Sequence, residues 1–203
     1  MTTSAIPSAD RSDFRNVLRS GTLVGLITGV GVVAFVAISR ILPAGAVRDV
    51  LEGILVLAGG VAVSLIPGQR AVSRTVEGVA GAAAIGLWGT VVFMIFDIVL
   101  LRPFKAYPWT WDAIGGGSTW WYLPIWWMLG TFLAWMGGLL TAARNARGAA
   151  SLTQLAMPVV IGAVVLTAAG KLAGCPVPLA ALTGAGYTVT LAALALFYNA
   201  RQA

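Results

Sequence analysis

Long apolar runs recur along the whole chain and limit what it can fold into. They are long enough to cross a hydrocarbon core roughly 30 Å thick as helices, whereas the strands of a membrane barrel would alternate polar and apolar residues. Of the 203 residues, 59% are hydrophobic and only 10% are charged, where a soluble domain has about a quarter charged. The sequence predicts an all-α integral membrane protein, a polytopic bundle of transmembrane helices.

Charged residues and prolines divide the apolar runs into about six predicted spans. We place them at about 21–42, 50–66, 79–101, 120–142, 155–173 and 177–198. Pro67 and Pro103 follow the second and third runs as normal stops, and Pro176 with Pro178 divides the last run into a hairpin. Residues 1–20 are predicted to be a cytoplasmic N-terminal tail or a short surface helix leading into the first span. Residues 21–203 are predicted to be one transmembrane domain, with residues 103–119 as an outer loop.

A cleaved signal peptide is the alternative interpretation of the first run. Basic residues precede the run, and Ala44-Gly45-Ala46 resembles a small-residue cleavage site. The run is longer than the apolar region of a signal peptide, about 7–15 residues, which favours a retained span.

The basic residues are unequally shared between the two sides of the predicted bundle. On the side of the N-terminus lie Arg11, Arg15, Arg19, Arg70, Arg74, Arg144, Arg147 and Arg201. On the other side lie Arg40, Arg48, Arg102, Lys105 and Lys171. Because cytoplasmic loops are enriched in Lys and Arg, we expect a cell inner membrane protein with both termini cytoplasmic. The net charge of +6 is thus a topology signal, and we expect no nucleic-acid partner.

Small residues recur four positions apart in three of the predicted spans. The stripes are Gly21, Gly25, Gly29; Gly78, Ala82, Gly86; and Gly130, Ala134, Gly138. Such stripes allow helix backbones to approach closely in lipid, and internal packing and an intersubunit face would use the same residues. A Gly-x-Val-Val pattern before Asp97 and Lys171, and before Arg40 with the glycine offset by one, also raises the hypothesis of three tandem hairpins, with chance similarity as its alternative.

Asp97 and Lys171 are charges within apolar runs, each a few residues from the outer end of its span. Burial of a charge in a membrane is costly unless it is paired or solvated, so an intramembrane charge is a functional-site hypothesis. We predict an ion pair between the two residues. Snorkelling of Lys171 to the membrane surface and a role in proton or ion coupling are the alternatives.

The most distinctive segment is rich in tryptophan, since seven of the eight tryptophans lie between residues 109 and 135. The predicted partner or lipid contacts in this segment are Tyr107, Trp109, Trp111, Asp112, Trp120 and Trp121. An aromatic belt at the headgroup level explains several of these residues. It does not fully explain Trp109 and Trp111, which precede the fourth span by about ten residues and which we expect to contact a protein or a lipid.

Several kinds of site have little support in the sequence. There is no histidine and only one cysteine, Cys175, so we expect no catalytic, cofactor or metal site. The function predicted is a non-catalytic membrane subunit or scaffold of a larger complex, in contact with membrane lipids and protein partners. The alternative is a small-solute or ion transporter or channel component that uses Asp97 and Lys171.

The predicted orientation can be tested with single cysteines in a variant whose Cys175 has been replaced. A cysteine beside Trp111 should react with a membrane-impermeant maleimide from the outside, and a cysteine beside Arg147 only once the cytoplasmic side is accessible. Labelling beside Trp111 from the cytoplasmic side alone would overturn the orientation.

Overall fold

The computed structural model describes residues 11–101, 103, 122–146, 148 and 150–201. Six helices in this part of the chain are long and apolar enough to span a membrane, which confirms the predicted all-α, multi-pass bundle. They are α1 Phe14–Ile41, α2 Ala46–Arg70, α3 Val76–Phe96, α4 Tyr122–Asn145, α5 Leu152–Leu172 and α6 Leu179–Ala200. The third span continues from α3 through a π-helical turn, Asp97–Leu101.

Most helix ends lie within a few residues of the prediction, and two of the differences have a clear physical reason. α1 begins at Phe14, within the segment predicted to be a tail, because the Asp13 carboxylate accepts a hydrogen bond of 3.0 Å from the Asn16 backbone N–H and caps the helix. α2 does not end at Pro67 but continues to Arg70 with Pro67 buried inside it. Pro67 lacks the N–H that would donate to the carbonyl four residues earlier, so α2 continues with one hydrogen bond fewer, and the positive φ of Val72, 52°, marks the turn that follows.

Helix α2 lies at the centre of the bundle and contacts each of the other five helices. Around it, α3 packs against α1 and α4, and α4 packs against α6. Helix α5 is peripheral and packs chiefly against α6. Consecutive helices therefore pair as three hairpins.

The residues that prompted the repeat hypothesis do not occupy equivalent places in these hairpins. Arg40 is exposed in the last turn of α1, and Asp97 is buried in the π-helical turn. Lys171 is exposed and bonds to the turn that joins α5 and α6. The pairing of consecutive helices therefore does not support a functional repeat.

The small-residue stripes pack within the chain, as one of the two interpretations predicts. A Cβ atom on Gly25 would lie 2.5 Å from the Gly89 carbonyl oxygen on α3. Gly86 on α3 lies against Ala134 and Gly130 on α4 in the same way. Because lipid gives no hydrophobic drive for helix association, these close backbone contacts are a main source of packing energy.

One face of the bundle is closed by hydrogen bonds between its connections. We call it the basic face and define it as residues 11–16, 69–75, 144–146, 148 and 150–151 together with the end of α6. The Arg11 backbone N–H donates to the Ala71 carbonyl over 2.8 Å, and the Asn145 side-chain amide donates to the Ser73 carbonyl over 3.1 Å. The Arg144 guanidinium lies 5.3 Å from the centre of the Tyr198 ring, so the end of α6 belongs to the same face.

The contact between α1 and α3 predicts that Gly25→Val destabilises the protein and Gly31→Val does not. A side chain at Gly25 would collide with Gly89 and Val92, whereas nothing lies within 4 Å of a Cβ on Gly31 in the same helix. Overpacking of this kind lowers the free energy of unfolding by roughly 1–3 kcal/mol. Thermal unfolding of both variants in one detergent measures the difference, and equal transition temperatures would contradict the packing described.

Candidate functional site

The predicted aromatic contacts cannot be placed in the structure. Tyr107, Trp109, Trp111, Asp112, Trp120 and Trp121 lie outside the described residues. Helix α4 begins after them, at Tyr122. The interpretation of these six residues as contacts rests on the sequence.

The predicted ion pair between Asp97 and Lys171 is not formed in the structure. The Lys171 Nζ donates over 2.7 Å to the Val177 carbonyl oxygen, so its charge is used to close the turn between α5 and α6. Asp97 follows α3, which packs against α1, α2 and α4, whereas α5 packs chiefly against α6. Two residues at a similar distance from the outer ends of their spans are not neighbours when their helices lie in different parts of the bundle.

Asp97 itself is buried, with only 3% of its surface exposed. It begins the π-helical turn, and residues on both sides of it, Phe93, Met94 and Leu101, form a buried apolar cluster. A π-helical turn changes the direction of the side chains that follow, and such turns are frequent at functional sites.

A second buried carboxylate, Glu52, was missed in the sequence. It is 8% exposed and its Oε1 atom lies 2.8 Å from the Arg48 Nε atom, the one ion pair within 4 Å among the described residues. The Ser39 hydroxyl on α1 donates to the same oxygen over 2.6 Å. Glu52 therefore joins α1 to α2. The signal was available, because Glu52 lies inside the predicted second span and a basic residue lies four positions before it.

Buried polar side chains between the helices are satisfied by hydrogen bonds within the protein. The Ser64 hydroxyl lies 2.7 Å from the Gly60 carbonyl oxygen and 2.8 Å from the Tyr187 hydroxyl. Because Ser64 has one proton to donate and gives it to Gly60, the Tyr187 hydroxyl is the donor to Ser64. Threonines bond back to their own helices, as Thr141 does to the Gly137 carbonyl. These groups are satisfied within the protein.

A cavity of about 140 Å³ lies where α1, α2, α3 and α4 meet. Its lining includes Thr28, Val32, Val63, Thr90, Phe93 and Trp126. The cavity is lined mainly by apolar side chains.

Helix α4 presents a tryptophan to the surroundings of the bundle at mid-span. The Trp135 side chain is 47% exposed and lies roughly 20 Å from one end of the helix and roughly 15 Å from the other. Met128, on the same face two turns earlier, is 72% exposed. The Trp88 indole donates to the Thr22 hydroxyl, but within the described part of the chain no acceptor is bonded to the Trp135 indole.

Comparison of the chain with protein-family models, curated proteins and solved structures gave no match. The described residues thus offer three features for interpretation. They are the buried carboxylates Asp97 and Glu52, the apolar cavity, and the exposed face of α4 defined by Met128 and Trp135.

The Glu52 cluster predicts a measurable coupling between Arg48 and Glu52. Glu52→Gln leaves Arg48 without its counter-charge and should lower the free energy of unfolding by roughly 1–3 kcal/mol. Asp49→Asn, at an exposed carboxylate on the same helix, is the control and should change it by less than about 0.5 kcal/mol. The double variant Arg48→Gln, Glu52→Gln should lose less than the sum of the single losses, and strictly additive losses would refute the coupling.

Proposed function

We propose that the protein is a non-catalytic integral membrane subunit or scaffold of a larger complex in the cell inner membrane, with both termini cytoplasmic. The observation that carries this proposal is the exposure of Trp135 in the middle of α4. The basic face, on which several arginines lie, supports the orientation by the excess of basic residues on cytoplasmic loops.

Lipid is a poor environment for a tryptophan at this depth. Indole favours the headgroup level, where its N–H finds water or a polar lipid group, and an N–H without an acceptor in hydrocarbon is costly. A helix of a partner supplies an acceptor through a hydroxyl or a backbone carbonyl. Trp and Met are also enriched in the cores of protein interfaces. The face of α4 with Met128 and Trp135 is therefore the proposed docking surface.

The tryptophan-rich segment adds a second contact to this proposal. Trp109 and Trp111 precede α4 in the chain, and rigid aromatic side chains give large contact area at low entropy cost. We expect the segment to bind a protein partner or a lipid on the outer side of the membrane.

The interior of the bundle favours a subunit over a transporter. A transported solute needs polar groups near the midplane to replace its hydration. Here the hydroxyls near the middle of their helices, those of Thr28, Thr90 and Thr190, donate to carbonyls of their own helices. The backbone of Gly137 also lies directly against that of Ser64, which closes the space between α4 and α2.

A transporter or channel component remains the second candidate function because of Asp97. Its burial at the start of a π-helical turn is the observation that favours this role. Lys171 has no part in it, since it bonds to Val177. Coupling to a proton or an ion would rest on Asp97.

A photoreactive amino acid at Met128 tests the proposed docking surface in native membranes. We expect a cross-link to one protein species, with the yield lowered roughly tenfold by Trp135→Leu, as for a central interface residue. Val189 is the matched control, because it is also mid-helix, on α6, and is 58% exposed. The change Val189→Leu should leave the cross-link at Met128 unaltered.

Two results would overturn the subunit proposal. One is a cross-link pattern at Met128 that contains lipid only, with no protein species. The other is solute movement by the purified protein alone in liposomes, abolished by Asp97→Asn, which would establish the second candidate.

A further inference from the structure

The cavity between α1, α2, α3 and α4 has the chemistry of a site for hydrocarbon. Thr28 and Thr90 are the hydroxyl-bearing residues of its lining. Thr28 donates to the Val24 carbonyl over 2.8 Å, and Thr90 donates to the Gly86 carbonyl over 2.9 Å. Their protons are therefore engaged, and a water molecule, which needs two to four polar partners, would be poorly held.

The cavity is continuous with the surface that faces the bilayer. Leu129 is part of its lining and is exposed on α4. Phe93 and Trp126, also in the lining, pack edge to face with ring centres 6.4 Å apart. Trp126 and Leu129 lie one turn apart on α4, so the ring contact borders the exposed part of the lining.

We propose that this cavity binds one acyl chain of a membrane lipid, whose headgroup stays at the membrane surface. The volume, about 140 Å³, suits a segment of a chain, and an apolar cavity of about 150 Å³ in another protein stays dry and takes up small apolar molecules. The surrounding bilayer supplies acyl chains at high local concentration. Occupancy removes the void and restores dispersion contacts to the lining.

The inference is independent of the proposed function, because a subunit and a transporter can each hold a structural lipid. It also differs in place from the docking surface. Met128 and Trp135 do not line the cavity.

A photoreactive lipid tests the proposal on the full chain. The purified protein is placed in phosphatidylcholine and phosphatidylglycerol vesicles that contain a phosphatidylcholine with a diazirine on one acyl chain. Labelled residues are then mapped by peptide mass spectrometry. We expect label on Thr90 and Leu133 inside the cavity, and a loss of roughly fivefold or more in Val63→Phe, where the ring fills the space.

Val189→Phe is the matched control, because it adds the same ring at an exposed position on α6. It should leave the label on Thr90 and Leu133 unchanged. If Val63→Phe does not fold, Val32→Phe fills the cavity from α1 instead.

Two outcomes would overturn the inference. The first is that Thr90 and Leu133 are not labelled in the wild type, or that they are labelled equally in the wild type and in Val63→Phe. The second comes from repeating the labelling in native membranes that have taken up the same photoreactive lipid. Label on these residues in the vesicles but not in the native membranes would assign the cavity to a side chain of a protein partner.

Discussion

The arrangement of the bundle depends on the backbone contact between α2 and α4. Gly137 lies so close to Ser64 that any side chain at this position would overlap the Ser64 backbone. In lipid, helices associate through such close contacts because there is no water to expel. The contact fixes α4 against the central helix. It also sets Ser64 where the Tyr187 hydroxyl of α6 can donate to it, so one glycine indirectly positions three helices.

The number, type and order of the helices could be predicted from the sequence because each depends on a local property. Apolar length determines whether a segment spans the membrane, and the small-residue stripes, such as Gly21 to Gly29, marked helix contacts correctly. The ends of the helices were less accurate. The start of α1 at the Asp13 cap and the continuation of α2 past Pro67 depend on individual hydrogen bonds, and these cannot be predicted from hydropathy.

The candidate site was harder to predict because it depends on which helices are neighbours. Asp97 and Lys171 were expected to pair from their depth alone, but α5 lies at the edge of the bundle beside α6. Glu52 could have been found from its position in a span and from Arg48 one turn earlier. The cavity had no signal in the sequence, since it arises from how four helices meet. Trp135 could have been singled out by its mid-span position but not by its exposure.

The contact between α1 and α3 has a consequence for biosynthesis. The Trp88 indole donates to the Thr22 hydroxyl over 3.1 Å, and the two residues are 66 positions apart. At synthesis rates of roughly 5–20 residues per second, α1 waits roughly 3–13 s in the bilayer before its partner emerges. During that interval the glycines of α1 are open to other helices. Once α3 is inserted, the tight fit of Gly25 against Gly89 favours α3 over any helix that packed against α1 earlier.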